Sequence, residues 1–204
     1  MLRRCLLVLV LAVGWAGAAR AVPITLALVP STTSLAPGNT LTLTVVIGGL
    51  TAESGELALE GFDLDLAFDN TRLQFESLDF DISLGDPNNA FETFLSGPGN
   101  PNVNSAVEMG EFSFLTAAQL LALQDAPFTL VTIEFTALDN PGGALLELIN
   151  LTGTSLVGPG GQELGLDLAA PSSLLVNILP EPAAATLLIA ALALLGRRRR
   201  NFAS

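Results

Sequence analysis

Between residues 22 and 179, apolar and polar residues alternate with a period of two over most of the chain. The clearest run is Leu59 to Phe68, where Phe62, Leu64, Leu66 and Phe68 fall on one side and Asp63, Asp65 and Ala67 on the other. That is the pattern of a half-buried strand. Ile24 to Val29 and Leu41 to Ile47 are β-rich runs separated by Pro30, Pro37 and Gly38, and Thr40, Thr42 and Thr44 alternate with apolar neighbours. Asp69-Asn70 turns the chain, Leu73 and Phe75 open the next segment, and Phe80, Ile82 and Leu84 alternate with Asp79, Asp81 and Ser83. Residues 85–105 are rich in Gly, Pro and Asn, which predicts a long loop with a small strand at Ala90 to Leu95. Val107, Phe112 and Phe114 mark another strand, and Phe128 to Ala137 a long one. After the turn Pro141-Gly142-Gly143, strands are predicted at Leu145 to Leu151, Ser155 to Val157, Leu164 to Leu168 and Leu174 to Ile178. Only Thr116 to Leu123 breaks the alternation, with strong helix formers behind a threonine cap, so one short helix is expected there. About nine strands at roughly 8–12-residue spacing predict an all-β, jelly-roll β-sandwich.

The two ends read differently. Met1-Leu2-Arg3-Arg4, an apolar run from Cys5 to Trp15, and small residues ending Ala19-Arg20-Ala21 form the charged, apolar and A-x-A parts of a secretory signal peptide. Cleavage by signal peptidase is expected after Ala21. The mature chain then has no cysteine, hence no disulfide. At the other end Pro180-Glu181-Pro182 precedes 14 residues, Ala183 to Gly196, that are apolar all round; Arg197, Arg198, Arg199 and Arg200 follow. The prolines keep their segment extended. The apolar stretch is expected to form a helix that enters the bilayer, and the arginines to remain on the cytoplasmic side as a stop-transfer cluster. At 1.5 Å per residue the stretch spans roughly 21 Å, short of the about 30 Å of a hydrocarbon core; snorkelling arginines close part of the gap.

This tripartite end resembles the PEP-CTERM sorting signal of Gram-negative bacteria. The resemblance implies that Pro180, Glu181 and Pro182 are the processing motif read by an exosortase-type enzyme. It further implies secretion across the inner membrane, a transient membrane anchor, and delivery to the cell surface or an exopolysaccharide matrix. The organisation expected is therefore a signal peptide over 1–21, a sandwich domain over 22–179 and a sorting signal over 180–204.

Composition narrows the chemistry. The chain carries a formal net charge of −12 and has no lysine, histidine or tyrosine. Residues 22–182 hold all 20 carboxylates but a single arginine, Arg72. Such an acidic domain is not a nucleic-acid binder. Without imidazole, thiol or amine, it has no Ser–His or Cys–His nucleophile, no Schiff base and no His/Cys metal site. About 158 residues suffice for one core without disulfides.

Leu59-Glu60-Gly61-Phe62-Asp63-Leu64-Asp65-Leu66-Ala67-Phe68-Asp69, then Leu73-Gln74-Phe75, then the short helix and Phe128-Thr129-Leu130-Val131-Thr132-Ile133-Glu134-Phe135, resemble the cohesin-like, carbohydrate-binding-module-related β-sandwich. The resemblance implies a nine-stranded jelly roll that binds a glycan or a protein partner.

Three chemistries remain to weigh. Asp63, Asp65 and Asp69, with Asp79 and Asp81 on a neighbouring segment, could pair as general acid and base of a glycoside hydrolase. A solvated acidic strand face fits them better, so no catalytic residue is assigned and the chain is read as non-enzymatic. For carbohydrate binding the phenylalanines are the available platforms. Phe62, Phe68, Phe75, Phe112, Phe114, Phe128 and Phe135 fall on apolar strand faces and are expected in the core. Phe91 and Phe94 lie in the irregular stretch and are the expected exposed ligand-binding candidates. For calcium, Asp86, Asn88 and Asn89 offer hard oxygen ligands, as do Asn100, Asn102 and Asn104, although Asn beside Pro and Gly is also ordinary turn composition. No other cofactor is implied. Asn150-Leu151-Thr152 matches a glycosylation sequon by chance. The leading expectation is a secreted, non-catalytic matrix or surface protein that binds carbohydrate; the alternative is a cohesin-like protein-interaction module.

Overall fold

The computed structural model describes residues 24–50, 58–124, 127–149, 155–164 and 173–180. In chain order its strands are β1 (Thr25–Pro30), β2 (Ser34–Leu35), β3 (Thr40–Gly48), β4 (Gly61–Phe68), β5 (Leu73–Phe80), β6 (Thr93–Ser96), β7 (Ala106–Ser113), β8 (Phe128–Ala137), β9 (Gly142–Ile149), β10 (Ser155–Gly158), β11 (Gln162–Glu163) and β12 (Ser173–Ile178). They form two sheets. One runs β1–β3–β8–β5 and is antiparallel throughout. The other is built around β4, which pairs with β7 along one edge and with β10 and then β9 along the other. β6 extends it beyond β7, and β12 beyond β9. The two-residue β2 closes it by pairing in parallel with β12.

The alternation read from the sequence decides what is inside. Leu41, Leu43, Val45 and Ile47 of β3, with Leu130, Ile133 and Phe135 of β8, meet Phe62, Leu64, Leu66 and Phe68 of β4 in one buried cluster. Phe68 and Phe135 join the two sheets directly, with ring centroids 5.0 Å apart. Phe62 reaches Phe80 of the opposite sheet at 6.3 Å. Each buried side chain of this size is worth about 1.5–3 kcal/mol, so the apolar stripes stabilise the sandwich without a crosslink.

The expected strands recur, with differences. Twelve strands stand among the described residues where about nine were expected; β6 and β10 lie at the expected Ala90–Leu95 and Ser155–Val157 segments, whereas the two-residue β2 and β11 were not anticipated. The alternation Phe80-Ile82-Leu84 does not continue β5. Ile82–Leu84 is a 3-10 turn, since Asp81 Oδ1 accepts from both Ser83 N (3.1 Å) and Ser83 Oγ (2.6 Å) and so caps it. A short polar side chain that bonds its own backbone competes with the ladder. The long loop contains β6 and also a helical turn, Pro101–Asn104. From that turn Asn102 accepts from Phe75 N at 2.8 Å and donates to Phe75 O at 3.1 Å, as a strand residue would.

The expected short helix is Ala117–Leu123. Its cap is a Thr116–Gln119 pair in which Gln119 Oε1 accepts from Thr116 N at 3.0 Å and from Thr116 Oγ1 at 2.7 Å. It is tied down by Gln124, whose Oε1 accepts from Leu59 N at 2.8 Å. Its Nε2 donates to Leu59 O at 2.7 Å and to Ser83 O at 3.2 Å. These bonds are buried, so Gln124→Ala should destabilise the chain by about 1–3 kcal/mol. A lowered urea midpoint at unchanged m-value is the expected result, while a Gln124→Glu variant cannot restore the donated bonds.

The segment expected at Leu164 to Leu168 falls, after Leu164, outside the described residues, as do Asn150 to Thr152, Ala19, Ala21, Glu181, Pro182 and Arg197 to Arg200. Among the described residues no helix is long and apolar enough to cross a membrane; the expected C-terminal helix is not among them.

Candidate functional site

β7 is the strand on which site and core meet. Val107, Met109, Glu111 and Ser113 share its inner side, and Glu108, Gly110 and Phe112 its outer side. Phe112 and Phe114 were expected in the core. Instead they are 38% and 58% exposed. The reason is parity: a strand that turns Val107 and Met109 inward must turn residues of even number outward. Phe112 and Phe114 contact each other edge to face at 5.9 Å.

The outer surface here is organised in cross-strand rows. Phe94 of β6 lies opposite Phe112 of β7, Phe112 opposite Gly61 of β4, and Gly61 opposite Val157 of β10. In the next row Ser96 lies opposite Gly110, Gly110 opposite Asp63, and Asp63 opposite Ser155. At Gly61 and Gly110 the row has no side chain. The result is an open groove of about 220 Å³ with two glycines as its floor. A Cβ on Gly61 would lie 2.8 Å from Phe112 Cδ2 and 3.0 Å from the Glu111 carbonyl oxygen, and one on Gly110 would strike Ser96 Oγ. The Phe112 ring therefore leans over space that only glycine leaves free. Phe94 is exposed, as expected, and joins the groove wall. Phe91 is 91% exposed and does not line it.

The acidic residues separate. Asp63 is exposed at the groove, and its pKa is raised by desolvation and by the neighbouring charge of Asp65. Asp65 was expected on a solvated face. It is buried, on the stretch of β4 paired with β7 and β9. Asp79 belongs to β5 of the opposite sheet and Asp81 to the turn after it, so the two carboxylate pairs expected of a hydrolase are not brought together. Asp69 ends β4's turn, where the Thr71 hydroxyl and amide and the Arg72 guanidinium outweigh desolvation and hold its carboxyl below the usual range.

The oxygens expected to hold calcium serve turns. Asp86 Oδ1 accepts from Asn88 N at 2.9 Å and from Asn88 Nδ2 at 3.3 Å. Asn89 Oδ1 accepts from Phe91 N at 3.1 Å, and Asn89 Nδ2 donates to Glu92 Oε1 at 2.9 Å. Asn102 is engaged with Phe75 as described. Among the described residues no three carboxylates gather as a metal-binding group.

Glu111 is the residue that reading by alternation passed over. It is 2% exposed on the inner side of β7, and neither carboxyl oxygen has a hydrogen-bond partner among the described residues. It has the parity of Val107 and Met109, so once the pairing with β4 turns those two inward the carboxylate must follow. Desolvation first, and the charge of Asp81 second, push its pKa from the ordinary 4.5 to about 8.

No protein-family model matches the sequence, and no curated protein does. Solved structures do. The chain is similar to a type II cohesin domain from the cellulosome of Acetivibrio cellulolyticus, with a TM-score of 0.60, 14% identity, and 76% of this chain and 95% of that one covered. It is similar to a type I cohesin solved in a cohesin–dockerin complex from Clostridium thermocellum, with a TM-score of 0.56, 10% identity, and 76% and 99% covered. It is also similar to the cohesin module of a family 33 glycoside hydrolase from Clostridium perfringens, with a TM-score of 0.54, 15% identity, and 78% and 97% covered. The fold is thus a cohesin-like β-sandwich, as the Leu59–Asp69 and Phe128–Phe135 segments suggested.

Glu111 gives stability a definite pH dependence. Below about pH 4.5 the carboxyl is protonated in both folded and unfolded chains. Between 4.5 and about 8 the folded chain keeps the proton that the unfolded chain has lost, so stability falls as pH rises, by up to about 1.4 kcal/mol per pH unit. In chelator-containing buffer, Glu111→Gln should flatten the denaturation midpoint across this window. An unchanged slope in the variant would assign the dependence to other groups.

Proposed function

We propose that the domain is a protein-interaction module whose partner rests on the groove formed by β6, β7, β4 and β10. The observation that carries this reading is the exposed Phe94–Phe112 row over a glycine floor. Exposed aromatic side chains beside a depression are unfavourable in water and are the usual anchors of an interface. The cohesin-like fold supports the same reading, one of its structural neighbours having been solved as a cohesin–dockerin complex. Asp63 at the groove, within a domain of strong negative charge, favours a partner with basic residues around an apolar anchor. Carbohydrate binding is the second reading. What favours it is Phe91, an almost fully exposed ring standing apart from the groove.

The two readings predict different losses. Immobilised chain should retain a protein from its host's envelope in a saturable manner. The double variant Phe94→Ser/Phe112→Ser should weaken that retention at least tenfold while the chain stays folded, since neither ring belongs to the buried core. Raised salt should weaken it further. Retention on the host's extracellular polysaccharide that depends on Phe91 and survives the groove variant would instead favour the glycan reading.

The same proposal extends to delivery. The chain would be exported, held by its apolar tail, processed at Pro180-Glu181-Pro182 by an exosortase-type enzyme, and left at the surface or in the matrix. Deletion of Arg197 to Arg200 should then let unprocessed protein pass through the inner membrane, visible as a larger secreted species on a gel. Normal processing of that deletion would remove the stop-transfer role.

A further inference from the structure

Glu111 poses a problem that its surroundings do not solve. Its strand partners are Phe62 on one side and Leu95 on the other. A carboxyl so buried, with both oxygens unpartnered, needs a proton or a cation. The domain cannot supply the cation itself. It has no lysine or histidine, and its single arginine, Arg72, is paired with Asp69.

The turn that the inner side of β7 reaches is rich in oxygen. Asp81 lies near enough for its charge to act on Glu111. Both Ser83 hydrogens go to its Oδ1 and neither to its Oδ2. The inner side of β7 reaches the same turn two residues further on, where Ser113 Oγ donates to Leu84 O at 2.5 Å. The backbone carbonyls of Ser83 and Leu84 each accept one side-chain bond there and keep a second lone pair.

We propose that Glu111 and Asp81 bind a divalent cation of the calcium type in the corner where β7 meets the turn Ile82–Leu84. Two carboxylates would balance the charge of one such ion. Calcium suits an irregular set of carboxylate, carbonyl and water oxygens, whereas magnesium demands near-octahedral geometry and sheds water reluctantly. The ion would join β7 of one sheet to the chain leaving β5 of the other. This site is separate from the Asp86–Asn89 loop, whose oxygens already serve turns. It does not depend on what the outer groove binds.

The test uses the full purified chain, stripped with chelator and titrated with calcium chloride in a calorimeter and in a thermal melt. The expected result is one ion per chain and a thermal midpoint raised by several degrees, with magnesium at least tenfold weaker. Glu111→Gln and Asp81→Asn should each weaken calcium binding at least tenfold, while Asp86→Asn should leave it unchanged. Circular dichroism checks that each variant folds, and Asp81→Asn keeps the turn-capping oxygen if Glu111→Gln does not fold. No heat and no shift at millimolar calcium would overturn the proposal and leave Glu111 held by a proton alone. Binding that survives in folded Glu111→Gln and Asp81→Asn chains, or is lost in Asp86→Asn, would also overturn it.

Discussion

The sandwich depends on β4. It has partners on both edges along its length, β7 on one side and β10 then β9 on the other. Its inward residues Phe62, Leu64, Leu66 and Phe68 supply the centre of the core. Its outward residues include Gly61, which forms the floor of the groove, and Asp63 at its side. A slip of one residue would exchange these two sets completely. Phe68 on Phe135 and Phe62 on Phe80 oppose that slip, because each ring is matched to one on the facing sheet. Core and groove are therefore two consequences of one register.

Much of this was legible in the sequence, because a strand with one wet face must alternate. β3, β4, β8 and β12 lie where alternation placed them, and Ala117–Leu123 forms where helix formers follow Thr116. The errors have local causes. Ile82 and Leu84 alternate with polar neighbours, yet Asp81 diverts the backbone into a turn by bonding to Ser83. On β7 both faces carry apolar residues, Val107 and Met109 on one and Phe112 on the other. Hydrophobicity alone could not say which was inside. The pairing with β4 decides it, because Leu64 and Leu66 stand opposite Met109 and Val107, and that pairing joins residues about 40 positions apart. The two-residue strands β2 and β11 have too few residues for any period to show.

The candidate site was legible only in part. Phe91 and Phe94 were read as exposed because they lie among turn formers, and both are. The groove was not visible, because its floor is made by absent side chains. Gly61 and Gly110 look like ordinary weak points in two strands until the register sets them in adjacent cross-strand rows. A strand glycine often marks close approach, and here what approaches is the Phe112 ring at Gly61 and the Ser96 hydroxyl at Gly110.

Exposed apolar side chains occur on several strands, Val29, Leu145 and Leu175 among them, but departures from the rules of strand composition are densest on β7. The sheet β1–β3–β8–β5 keeps them closely, with threonines outside β3 and leucine, valine and isoleucine inside. β7 breaks them several times within consecutive residues: a glycine at 110, a buried carboxyl at 111 and an exposed ring at 112. Each lowers stability on its own: backbone entropy for the glycine, desolvation for the acid, exposed apolar surface for the ring. Such conflicts between local rule and global fold are expected where a sequence answers to something besides folding. They converge on one strand, with the groove outside it and the unpartnered carboxyl inside it, which is why both proposals are placed at this corner.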